Sequence, residues 1–267
     1  MIRLIKIDFR KYFYSRSFWI LTSLYLLLIV LVFAGSQGFM NKITENAGKN
    51  SPISIPSFSL YSFPYVWHNL AFLAGFFKIF PALIVVIFVT NEFSYKTIRQ
   101  NVMSGMSRNE FLLSKVLFVF IFSLISTVVL FFSALILGWT HTNPITASLV
   151  YDKMVFVPAY FLELFTFSML AMMIAFLVKK QGLSIGMLAL YYYVIEPLVA
   201  YKLPDEISQY LPVKAMGHLI DIPNSSLMKL FGVNFRDYVS AQDVLLCLFY
   251  SFVFIGVVYF FLKHSDI

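Results

Sequence analysis

The sequence predicts an all-α polytopic membrane protein with six transmembrane helices, and three observations carry that expectation. Of 267 residues, 60% are hydrophobic and 12% are charged, whereas soluble domains average roughly 25% charged. With a mean hydropathy of +0.82, the chain holds more apolar surface than a core of its size can hide, and the surplus requires a bilayer as solvent. Its apolar residues also fall in runs of about 20, the length that crosses roughly 30 Å of hydrocarbon as helix. The net charge of +7 sits in short clusters between these runs. That is the pattern of topology signals, not of a nucleic-acid surface, which gathers its cations on one solvated face or helix.

The amino-terminal residues precede any span. Ile2, Ile5, Phe9, Tyr12 and Phe13 recur at helical spacing while Arg3, Lys6 and Arg10 lie off the stripe, so residues 1 to 17 read as an amphipathic interfacial helix along the inner leaflet. A basic start, an apolar core at Trp19 to Phe33 and then Ala34-Gly35-Ser36 also fit a signal peptide. The long periodic basic stretch and the further apolar runs favour a signal anchor. Spans are expected at 18 to 37, 66 to 90, 112 to 138, 156 to 178, 183 to 203 and 243 to 262. The third and sixth are nearly free of charge. The second carries Lys78 and Pro81, the fourth Glu163, and the fifth Glu196 followed by Pro197, so these are where a span can break.

Cations orient the spans. Arg3, Lys6, Arg10, Lys11 and Arg16 precede the first, whereas the loop at 38 to 65 has only Lys42 and Lys49. The loop at 91 to 111 holds Lys96, Arg99 and Arg108, Lys153 stands alone in the next, Lys179 and Lys180 fill the short turn before the fifth span, and Lys263 follows the sixth. This alternation predicts an inner-membrane protein with both termini cytoplasmic. The segment from about 204 to 242 has Lys214, Lys229 and Arg236 beside Asp205, Glu206, Asp221, Asp237 and Asp243. Being long and not net basic, this segment reads as external, and Pro204, Pro212 and Pro223 limit it to short re-entrant or interfacial helices.

The densest polar run on the cytoplasmic side is Asn91 to Lys115. Its residues predict a short helix from Glu92 to Met103, a stop at Gly105, and a new helix capped by Ser107 with Glu110 three residues on. Two helices meeting at a glycine and continuous with two spans form a knob on which a soluble partner can push. The segment resembles the first cytoplasmic loop of permeases of the ABC-2 type. Glu92, Thr97, Arg99, Gly105, Ser107, Arg108 and Lys115 match an acidic residue, a Thr-x-Arg step, a small-residue turn with Ser-Arg, and a Lys opening the next span. The layout of spans agrees with that family. Lys96 departs from it, since a small residue is expected before the threonine.

The resemblance implies a single transmembrane domain over 1 to 267 with a cytoplasmic coupling helix between spans two and three. It also implies a second permease copy or homologue, contact with membrane lipids, and two separate ATP-binding subunits that carry ATP and magnesium. On that implication Glu92, Thr97, Arg99, Gly105, Arg108 and Lys115 couple the permease to the ATPase. The sequence itself contains no Gly-x-x-x-x-Gly-Lys-Ser/Thr phosphate loop, so no ATP hydrolysis and no bound cofactor are expected of this chain.

Lys78, Glu163 and Glu196 fall within apolar spans, where an ionisable group costs roughly 2.5 to 3.5 kcal/mol unless paired or wetted. Lys78 and Glu163 are candidates for a buried pair or for the lining of a wet pathway, and Glu163 for snorkelling to an interface. Glu196 with Pro197 is a candidate substrate contact, gate, or cap on a re-entrant helix. Gly182 and Gly186 permit close helix approach. His68, His141, His218 and His264 lie on separate segments, so no metal site is expected, and the single Cys247 allows no disulfide. No nucleophile with a nearby base is legible. The resemblance makes export of a lipid, peptide, antibiotic or polysaccharide the leading expectation. An ATPase-linked part of a motility or assembly machine, or a non-transporting scaffold, is the alternative, and a membrane-embedded enzyme lacks the convergent polar residues it would need.

Overall fold

The computed structural model describes residues 14–49, 59–97, 105, 107–223 and 236–264. Residues 1 to 13 of the amphipathic helix expected over 1 to 17, the candidate Arg99, and residues 224 to 235 of the segment expected to be external lie outside the described residues. Those described are helical with no strand. Five helices among them are long and apolar enough to cross a membrane, and six if one bent pair counts as a single span.

Helix α1 runs Arg16–Lys49. Phe18, Thr22, Tyr25, Ile29 and Phe33 are buried, a stripe of one residue per turn that faces the bundle, while Ile20, Leu24, Leu27 and Leu31 face outward. The helix outlasts the expected span by more than ten residues. No proline interrupts the chain before Pro52, so the helical ladder continues past the apolar stretch.

The second span is broken. Helices α2, Val66–Gly75, and α3, Ile79–Ser94, meet at 46°. Pro81 explains the position of the bend: its ring clashes with the carbonyl four residues back, at Phe77, and it offers no N–H to it. In the break Phe77 and Lys78 donate instead to the carbonyls of Ala74 and Gly75, three residues back, at 3.0 and 3.3 Å.

Helix α4, Arg108–His141, begins with a full capping box. The Ser107 hydroxyl accepts from the Glu110 amide at 3.2 Å, and the Glu110 carboxylate accepts from the Ser107 amide at 3.0 Å. A short helix α5, Ala147–Tyr151, leads into α6, Phe156–Val178. The α5–α6 span is the axis of the molecule. Its most apolar stretch is 67% buried, against 28% or less for the first, fifth and last spans, and α6 packs on α2, α3 and α4.

The fifth span is composite: α7 Gln181–Leu190, a π-helical turn Tyr191–Ile195, and α8 Glu196–Lys202. Pro197 lacks the N–H that would serve Tyr193, and the ladder widens there so that the Glu196 amide reaches the Tyr191 carbonyl. Short helices α9, Asp205–Ser208, and α10, Pro212–Gly217, follow, and α11, Ala241–His264, closes the bundle against α6. Hydroxyl groups stitch the spans together: Tyr25, Ser126 and Tyr160 bond one another at 2.6 to 3.2 Å across α1, α4 and α6, and Thr166 meets Ser251 at 3.0 Å across α6 and α11.

Candidate functional site

Two ionic centres stand at different depths of the bundle. The deeper one is built on the break in the second span. Lys78, in that break, reaches Glu163 on α6 with Nζ 2.7 Å from Oε1, and the two residues are only 5% and 4% exposed. Of the sequence alternatives, the structure holds the ion pair and not a snorkelled glutamate. The Lys78 ammonium also lies 5.5 Å from the centroid of Phe167 and 5.4 Å from that of Tyr192, within cation–π range. Tyr192 belongs to the π turn, so the widening at Pro197 helps carry its ring toward the pair. Beside the pair is a cavity of about 110 Å³.

Glu196 is buried but does not join Lys78. Its Oε1 accepts from the Lys214 amide at 2.8 Å, in the first turn of α10, where amides lack helical partners. It thus serves an amide at the start of α10.

The second centre joins the ends of the 91 to 115 loop. Lys115 Nζ lies 3.0 Å from Glu92 Oε1, with side chains 1% and 2% exposed, and the Thr97 hydroxyl donates to Glu92 Oε2. Glu92 belongs to the last turn of α3, not to a separate helix: α3 ends at Ser94, and Lys96 turns the chain with a left-handed φ of 53°. The small residue expected there is thus a lysine held in a conformation that favours glycine. Gly105, at φ 93°, uses the freedom that its lack of a side chain provides.

Arg108 is placed unexpectedly. Its Nη1 donates to the carbonyls of Leu262 and Lys263 at 2.8 and 2.6 Å, closing the last turn of α11. Lys179, itself left-handed at φ 62°, lies over the rings of Phe93 and Phe261. Residues from α3, α4, the α6–α7 turn and α11 therefore converge at one end of the bundle. Gly182 and Gly186 have no neighbour within 4 Å of where a Cβ would stand, so among the described residues no close helix contact forms on that face.

At the other end lies a cluster that the sequence reading missed. His68 Nε2 is 2.7 Å from the Asp221 carbonyl, and its Nδ1 is 3.5 Å from Asp237, which also pairs with Lys153. Arg236 bridges Asp221 at 3.0 Å and Asp243 at 2.7 Å. The ring of His68 stacks on Phe156, with centroids 3.8 Å apart. The only sequence signal was the unusual mixture of both charges around 205 to 243. Among the described residues, no three His, Cys, Asp or Glu side chains come together so as to hold a metal ion.

A family model described as ABC-2 family transporter protein matches residues 2–267. No curated protein gives a significant match.

Proposed function

Because this chain belongs to the ABC-2 family of transporter proteins, we propose that it is the permease subunit of an ATP-driven exporter in the inner membrane. In this reading it forms the translocation pathway, with both termini cytoplasmic. It pairs with a second copy or a homologue, and with two ATPase subunits that carry ATP and magnesium. The cargo is a lipid, peptide, antibiotic or polysaccharide.

The observation that supports coupling most directly is the buried Glu92–Lys115 pair. It ties the last turn of α3 to the second turn of α4, so a displacement of the loop between them is delivered to two spans together. Arg108 extends the connection to α11. Nucleotide-driven closure of the ATPases then shifts the permease between arrangements, provided the ATPase binds one arrangement better than the other. Glu92 and Lys115 are too buried to touch a partner, and their part is to tie together the spans on either side of the loop. The proposal assigns docking to Arg99.

The test is co-purification. Arg99→Glu is expected to abolish recovery of the ATPase with the permease while membrane insertion stays intact. Full recovery of the complex would overturn docking through this loop.

A further inference from the structure

Lys78 donates to Glu163 Oε1, and the other carboxylate oxygen, Oε2, is not among the fully enclosed unpartnered polar atoms of the described residues. It is therefore open to a donor from the space beside the pair, where such a hydrogen bond forms in a low-dielectric surrounding. The Glu163 side chain lines the cavity of about 110 Å³, together with Lys78, Gly75 and the rings of Phe72, Phe76 and Tyr192. Gly75 leaves the carboxylate open to the cavity: a Cβ there would stand 3.4 Å from Oε2.

The charges limit what can enter. The pair is neutral as a whole, so a ligand of net charge would bring an uncompensated ion into a low-dielectric site. A head carrying both an ammonium and an anion adds no net charge. It can give its ammonium to Glu163 Oε2 and its anion to the remaining Lys78 donors. Phe72 also lines a second, mostly apolar cavity of about 250 Å³ with Phe39, Met40, Leu73 and Pro223, so an apolar chain attached to such a head has a place to lie.

We propose that the Lys78–Glu163 cavity binds the head of a zwitterionic amphiphile of the aminophospholipid type, with its apolar chain running past Phe72 into the adjoining cavity. Along the second span the polar cavity is lined by Gly75 and Lys78 and the apolar one by Asn69 and Leu73, so the head would sit farther along that span than its chain. Passage of such an amphiphile rests on the transport reading above, and binding does not.

The test is native mass spectrometry of the full chain in nanodiscs, without nucleotide. Three probes are used: lysophosphatidylethanolamine, lysophosphatidylglycerol of the same chain length, and phosphoethanolamine with no chain. The zwitterionic lysolipid is expected to bind at least tenfold more tightly than the anionic one, and the chainless head not to bind at the same concentrations. Lys78→Met with Glu163→Met is expected to bring the two lysolipids within twofold of each other. Gly75→Ala keeps the ion pair and covers the case in which the double variant misfolds; it is expected to weaken the zwitterionic lysolipid at least fivefold. Equal binding of the two lysolipids to the native chain, equally tight binding of the chainless head, or a full preference in either variant would overturn the proposal. Failure of the ATPase to co-purify would count against the transport reading and leave this result unaffected.

Discussion

Lys78 and Glu163 show why single and double substitutions diverge at a buried pair. Removing either partner leaves the other charged or forces it neutral in an apolar surrounding, a loss of about 3 to 5 kcal/mol, whereas replacing both with apolar groups is close to neutral. Lys78→Met and Glu163→Met are each expected to lower the thermal midpoint of the purified permease sharply. The double variant should lie nearer the native value than either single variant, and additive losses would show that the groups do not act as a pair. Lys96 supplies a second case at this scale. A non-glycine residue in the left-handed region costs roughly 1 to 2 kcal/mol, so Lys96→Gly is expected to raise the midpoint by up to about 1 kcal/mol equivalent; a decrease would mean that its side chain makes a contact worth more than the strain. Intramembrane charges are legible in sequence because they break a long apolar pattern. The Glu92–Lys115 pair was not legible as a pair, because each residue sits where a span meets a polar loop and looks like an ordinary interfacial charge.

Among the elements, α11 is the one whose register depends most on long-range contacts. It is weakly buried and held by Asp243 to Arg236 at one end, by Ser251 to Thr166 along its length, and by Arg108 at the other end. The last carbonyls of a helix have no internal partners, and a guanidinium there both bonds them and opposes the helix dipole. Arg108→Ala is expected to cost about 1.5 to 3 kcal/mol of local stability. Amide exchange of Tyr259 to His264 should accelerate at least tenfold while α4 exchanges as before. Unchanged protection would deny Arg108 this role. The sequence marked the breaks in the second and fifth spans through Pro81 and Pro197, because a missing N–H acts locally whatever surrounds it. It did not mark the direction in which each break turns its side chains, since that follows from what α6 presents to them.

For the whole molecule, span positions and packing were legible to different degrees for one physical reason. Apolar run length is a property of contiguous residues, so the span positions stood out. The clusters at the two ends are assembled from residues more than a hundred positions apart, such as Arg108 with Leu262 or His68 with Asp221, and no periodicity encodes them. On the proposed coupling, the cluster around Glu92, Lys115 and Arg108 is the route by which a push at one end would reach the cavity beside Lys78. Lys115→Met removes the tie between α3 and α4 and keeps the proposed docking residue Arg99, so the ATPase should still co-purify. Cys247, the single cysteine of the sequence, is buried, and after its replacement by serine a cysteine at exposed Phe76 reports on the cavity mouth. With Lys115 present, ATP and magnesium are expected to change the labelling rate of that cysteine several-fold in the complex. With Lys115→Met the change should fall below twofold while ATP hydrolysis continues. A nucleotide response of full size in the variant would mean that motion reaches the second span by a route other than the Glu92–Lys115 pair.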